Sequence, residues 1–107
     1  MLQVTVYPKT YKLTFEGHAE AGEKGNDLVC AAASGYLYQL AQTLKNYEGI
    51  AFRKKPRVEI GENHSEIQCK PYSQYVPTIG VIYQTVLNGF LLLAEGYPDN
   101  IHVEISS

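Results

Sequence analysis

Every strand-like stretch of this sequence is apolar on one parity only. Leu2, Val4 and Val6 alternate with Gln3, Thr5 and Tyr7, and Tyr11, Leu13 and Phe15 alternate with Lys12, Thr14 and Glu16. This two-residue period marks half-buried strands, and the short Pro8–Thr10 link predicts a hairpin. Arg57–Pro71 reads as a second hairpin around a polar turn at Gly61–His64, with Val58, Ile60, Ile67 and Cys69 on the inward parity. A last strand alternates Ile101, Val103 and Ile105 with His102 and Glu104. Strands with one apolar parity need cover on one side only.

Two segments of helical period supply that cover. From Asp27, the residues Val29, Ala33, Tyr36, Leu37, Leu40 and Leu44 fall on one stripe, and the helix is expected to end near Gly49. The second helix takes Pro77 into its first turn and carries Ile79, Ile82, Tyr83, Val86, Phe90 and Leu93 on its stripe. Gly96–Asn100 stops it. The expected fold is α+β and two-layered: a mainly antiparallel sheet of about five strands with both helices on one face, in the order β-β-α-β-β-α-β. Residues 1–107 read as a single domain, with no repeat, linker or low-complexity tract to divide them.

Bulk properties narrow the partners. With a net charge of −2 the chain presents no field that draws in phosphate backbones, so direct nucleic-acid binding is not expected. Two cysteines, Cys30 and Cys69, do not make a disulfide framework, and no N-terminal stretch reads as a secretory signal; a reducing, cytoplasmic setting is expected. The longest uninterrupted apolar run, Phe90–Ala94, is too short to span a bilayer, so no membrane partner is expected. Two cysteines and three histidines without CxxC or HxxxH spacing give no expectation of a metal or other cofactor.

The stretch GHAEAGEKGNDLVCAAAS, residues 17–34, is where chemistry concentrates. It sets His18 at a strand end and Cys30 in the opening turn of the first helix, provided Asn26 or Asp27 caps that helix. Free N–H groups and the positive dipole end there favour a thiolate. A free thiol with a pKa near 8.5 is only a few per cent ionised at neutral pH. The helix end gives typically about 0.3–1 kcal/mol, so a nucleophile at this position needs a basic partner. His18 is the best placed, as general base toward Cys30. Strict alternation would set His18 on the face away from the helices, so the strand must end or bulge at Gly17. An ordinary buried thiol and an ordinary histidine are the competing readings.

The string GHA, a glycine-bearing loop and then DLVCAAAS resemble the signature of the bacterial ribosomal-processing cysteine protease family, Prp. The length, the element order and the Gly89-Phe90 pair in the second helix are also similar to those of a whole family member. The resemblance implies a cysteine endopeptidase that removes the N-terminal extension of large-subunit ribosomal protein number twenty-seven, cutting after a hydrophobic and aromatic stretch. It also implies a homodimer, with Cys30 as nucleophile and His18 as general base, and places Gly17, Asp27 and Ser34 at the remaining signature positions. Read from the residues, Gly17 permits a bend and close backbone approach. Asp27 caps the helix or orients His18, and Ser34 hydrogen-bonds within the site or is a small residue facing the neighbouring loop. The oxyanion would be held by backbone N–H groups around Cys30.

Other features carry weaker expectations. Residues 19–26 are polar and glycine-bearing and suit a loop that gates a substrate groove. Tyr36, Tyr38, Tyr72 and Tyr75 could line that groove or belong to the core. Cys69 reads as a core residue, and His64 and His102 as surface histidines. Arg53, Lys54, Lys55 and Arg57 form a local basic run of the kind usually solvated. Val81 and Leu92 make a second apolar patch on the outer side of the second helix, consistent with a homodimer. The competing functions are a noncatalytic ribosome-associated peptide-binding module and, last, a thiol redox sensor, which would need Cys69 as resolving thiol.

Overall fold

The structure is a computed structural model; it describes the backbone of residues 1–17 and 24–107, and the side chains of all of these except residues 24–27. The elements in chain order are β1 (Leu2–Tyr7), β2 (Lys12–Glu16), α1 (Lys24–Asn46), β3 (Arg57–Ile60), β4 (His64–Gln68), α2 (Val76–Gly96) and β5 (Ile101–Ile105). The five strands form one sheet in the order β3-β4-β2-β1-β5, antiparallel throughout except for the β1–β5 pair. This is the expected architecture.

Register explains the single core. Val4 lies opposite Phe15 and Val103, Val6 opposite Leu13, and Leu13 opposite Ile67, so the apolar residues of neighbouring strands line up on one face. From α1, Val29, Ala33, Leu37, Leu40 and Leu44 are buried in the same cluster, and from α2, Ile79, Tyr83, Val86, Leu87 and Phe90. Phe90 sits at the helix contact, its ring 5.5 Å from that of Tyr36 in an edge-on arrangement. Gly89 makes this close approach possible, because a Cβ there would stand 3.1 Å from the Tyr36 ring. The opposite face of the sheet is polar and, among the described residues, bare of helices: Thr5 and Thr14 pair at its centre, only 9% and 7% exposed, and Lys12 lies 4.3 Å over the Tyr7 ring.

Several local expectations shift. The first link is a 3-10 turn, Pro8–Thr10, followed by Tyr11 in the left-handed region at φ 50°; Tyr11 is thus a turn residue and not part of β2. Helix α1 begins at Lys24, three residues before Asp27, so neither Asn26 nor Asp27 is a cap. It ends at Asn46, after which a tight turn leads to Gly49 at φ 80°. Val58 and Ile60 have the inward parity expected of them, opposite Ile67 and Ser65, yet are 41% and 38% exposed. β3 is the edge strand, and the helical layer does not reach over it.

α2 departs from the reading in its overall hydropathy. By length and composition it is apolar enough to cross a membrane, with mean hydropathy 1.5 in its most apolar window, which counting uninterrupted apolar runs had missed. Its inner stripe packs against the sheet and α1, while only 28% of that window is buried.

Cys69 lies just past β4 and is buried, its Sγ 3.7 Å from the Tyr83 hydroxyl, which in turn donates to the Tyr11 carbonyl at 2.7 Å. Burial pushes the Cys69 thiol up to about 11, against a smaller opposing effect of the Tyr83 hydrogen bond.

Two predictions follow from this packing. Gly17 ends β2 at φ 88°, and a Cβ there would come within 2.5 Å of the Met1 carbonyl oxygen. Gly17→Ala should therefore destabilise the fold by about 2 kcal/mol. Gly35→Ala, in an open position within α1, should stabilise it by about 0.5–1 kcal/mol, and chemical denaturation of both reads the contrast. The native Cys69 thiol keeps its proton where the unfolded thiol loses it, so its contribution is complete below pH 9 and lost as pH rises toward 11. The stability difference between the unmutated protein and Cys69→Ala should shrink by about 2–3 kcal/mol between pH 8.5 and 11.

Candidate active site

The turn at Gly17 decides which way the chain leaves β2. The strand ends at Glu16, and the Gly17 amide donates to the Asn63 carbonyl at 3.0 Å, so the β3–β4 hairpin turn holds the strand end in place. A regular strand does not continue through Gly17, which stands at φ 88°. His18 and residues 19–23 lie outside the described residues. Lys24, Gly25 and Asn26, expected in a gating loop, belong to the opening turn of α1.

Cys30 is the seventh residue of α1, in the second turn and not the first. The free donors of a helix are its first four N–H groups, here those of Lys24–Asp27, and the dipole effect fades beyond the first turn. The amide of Cys30 is consequently part of the helical ladder, and the oxyanion donors expected around it are not supplied by an open helix end. Cys30 is half-buried and packs against the edge of the core. Ser34, also half-buried, follows one turn later on the same side. The side chain of Asp27 lies outside the described residues.

The two cysteines occupy opposite environments. Cys69 is 3% exposed, with its proton held by burial; Cys30 is accessible in part. The described histidines are equally informative. His64 projects from the bare face of the sheet, with its Nδ1 3.4 Å from a Glu16 oxygen and its Nε2 3.9 Å from Glu66. His102 shares the bare-face parity of β5. Neither is on the helix-covered side where Cys30 lies.

The remaining residues sort themselves by position. Tyr36 belongs to the core contact with Phe90, and Tyr75 packs against the core. Tyr72 lies under Arg53 at 5.8 Å, while Tyr38 is exposed on α1. Arg57 is drawn into ion pairs with Glu59 and Glu66, at 3.1 and 3.3 Å. No cluster of metal-ligating side chains occurs among the described residues.

Sequence reasoning missed one feature further along α1 from Cys30. A groove of about 490 Å³ opens between α1 and β3, lined among others by Tyr38, Ala41, Lys45, Lys55 and Val58. No sequence signal marks it, because Val58 has the same inward parity as Ile67 and the edge position of β3 comes only from the strand order.

Comparison with known proteins gives a consistent result. The sequence profile of the family described as cysteine protease Prp matches residues 1–102. The ribosomal processing cysteine protease Prp of Mycoplasma genitalium is 29% identical over 97 residues, covering 89% of this chain and 88% of that protein. Its counterpart in Staphylococcus aureus is 25% identical over 95 residues, covering 89% and 86%. The S. aureus protease crystallised with a covalently linked product peptide superposes with a TM-score of 0.75 at 21% identity, over 99% of this chain and 100% of that one. The same protease with a substrate peptide gives 0.74 at 24%, over 98% and 97%. These two likenesses establish the shared fold; the profile match over nearly the whole chain establishes that this protein belongs to the Prp family of cysteine proteases and is a peptide hydrolase of that class.

Proposed function

We propose that the protein is an endopeptidase that uses Cys30 as nucleophile and His18 as general base to remove the N-terminal extension of large-subunit ribosomal protein number twenty-seven. The observation that carries the assignment of Cys30 is the contrast between the two thiols. A cysteine protease needs an accessible sulfur, and of the two cysteines in this chain Cys69 is sealed in the core with its proton held. The assignment of His18 rests on parity, since His64 and His102 both lie on the far face of the sheet. The ribosomal substrate is supported by the relatives in M. genitalium and S. aureus, both described as ribosomal processing proteases.

In this reading His18 takes the Cys30 proton, and the thiolate attacks the scissile carbonyl to form a tetrahedral adduct. His18 then returns the proton to the leaving amine as the C–N bond breaks, leaving a thioester on Cys30. Water, deprotonated by His18, hydrolyses the thioester and restores the thiol. No cofactor enters the balance. Asp27 acts by orienting His18 and Ser34 by hydrogen bonding within the site, and Gly17 sets the direction in which the His18 segment leaves the sheet. The setting is the cytoplasm, where both thiols stay reduced.

The protein works as a homodimer in this proposal. Val81 and Leu92, 67% and 69% exposed on the outer side of α2, form the apolar face that a second copy would cover.

Cleavage of the precursor is the test. The unmutated protein should cut a precursor bearing an aromatic extension, and Cys30→Ser should not cut it. His18→Ala should lower the rate by at least about a hundredfold. His64→Ala and His102→Ala should stay within a few-fold. Iodoacetamide should label Cys30 in the native protein and Cys69 only after unfolding, as read by peptide mass. Binding of the precursor without cutting would replace this reading with that of a peptide-binding module. Leu92→Arg should shift the dimer to monomer in sedimentation, and an unchanged sedimentation coefficient would place the interface elsewhere.

A further inference from the structure

The groove between α1 and β3 lies in line with Cys30. At about 100° per residue, Ala41, Ser34, Lys45 and Tyr38 fall roughly 20°, 40°, 60° and 80° around the helix from Cys30, all within a quarter of its circumference. The stripe carrying the thiol therefore continues down α1 as one wall of the groove. At about 1.5 Å per residue, Tyr38 stands roughly 12 Å and Lys45 roughly 22 Å along the axis from Cys30. An extended chain, at about 3.3 Å per residue, covers that distance in roughly four to seven residues.

The opposite wall is a free strand edge. β3 is terminal in the sheet, and its helix-side residues Val58 and Ile60 are exposed although the residues opposite them, Ile67 and Ser65, are 0% and 1% exposed. The other face of β3 is charged, with Arg57 paired to Glu59 and Glu66. The apolar approach to this edge is from the groove, between Val58 and Pro56 on one wall and Tyr38 and Ala41 on the other.

We propose that this groove takes an extended stretch of the substrate polypeptide, about four to seven residues from the scissile bond, and pairs it as an additional strand on β3. The proposal rests on the assignment of Cys30 as nucleophile. Main-chain pairing to β3 supplies affinity, while alternate apolar or aromatic side chains of the bound segment enter between Val58 and Tyr38 and supply specificity. Continuity with the thiol stripe argues for the substrate as occupant. A second copy of the protein has its own exposed apolar face on α2.

Val58→Asp and Tyr38→Ala test this, each in the full chain, with thermal melting to show that the fold is kept. Two probes are compared: the full precursor, and a peptide with about three residues on each side of the bond, too short to reach Tyr38. Expected is a fall in kcat/KM for the precursor of at least about tenfold, carried by KM, and a fall of the same size in the precursor-to-peptide ratio. A fluorescently labelled precursor extension should also bind about tenfold more weakly to Val58→Asp in a Cys30→Ser background. No change in the ratio overturns the proposal, as does an equal loss on both probes. Dissociation of a dimer by Val58→Asp would overturn it by giving the groove to a second copy. If the unmutated protein cuts no precursor, the functional reading fails by itself, while binding to the Cys30→Ser background still reports on the groove.

Discussion

One-sided burial governs this molecule. Because Leu2, Val4, Val6, Leu13, Phe15 and Ile67 all face the same way, both helices must settle on one face of the sheet, and the other face is left to threonines and charged residues. Two consequences bear on chemistry. The α1 residues nearest the end of β2 necessarily lie on the covered side, which puts Cys30 there. The histidines of β4 and β5 necessarily lie on the other side, which removes His64 and His102 from reach of that thiol.

The same packing makes the two thiols different without any change of residue type. Cys69 sits under Tyr83, whose hydroxyl reaches across to the Tyr11 carbonyl, and the pair is enclosed by the core. A thiol there behaves as a small apolar group, and desolvation holds its proton. Cys30 stands at the core's margin, with one side on packed residues and the other accessible. The redox reading, which required Cys69 as a resolving thiol, fails on this burial: a sulfur enclosed by the core cannot meet an incoming sulfenic acid without local unfolding.

Strand and helix identity were legible because the period of the apolar residues is local information, and α2 was placed almost to the residue by Pro77 and the Gly96–Asn100 stop. What depends on order across the sheet was not. Val58 and Ile60 carry the same alternation as Ile67, and nothing in their sequence says that their strand would be terminal and uncovered. The groove that results is a product of topology. The start of α1 was also misplaced, because Asn26 and Asp27 are good capping residues and Gly25 a poor helix former, so local preference pointed to a cap where the helix in fact runs on.

That extra turn changes the electrostatics available to the nucleophile proposed at Cys30. The four N–H groups of α1 without a partner inside the helix are those of Lys24–Asp27, so they converge on a point about one turn before the thiol. A tetrahedral oxyanion formed at Cys30 cannot be held by the amide of Cys30 itself while that amide is bonded within the helix. In the proposed reaction the donors are other than the Cys30 amide. Pairing of an extended substrate along the β3 edge would fix the scissile carbonyl against such donors, by holding the chain at a distance from the reacting bond and restricting how it can turn. On this view the uncovered edge strand and the displaced helix start are complementary features, with orientation of the bound chain making up for what an open helix end does not provide.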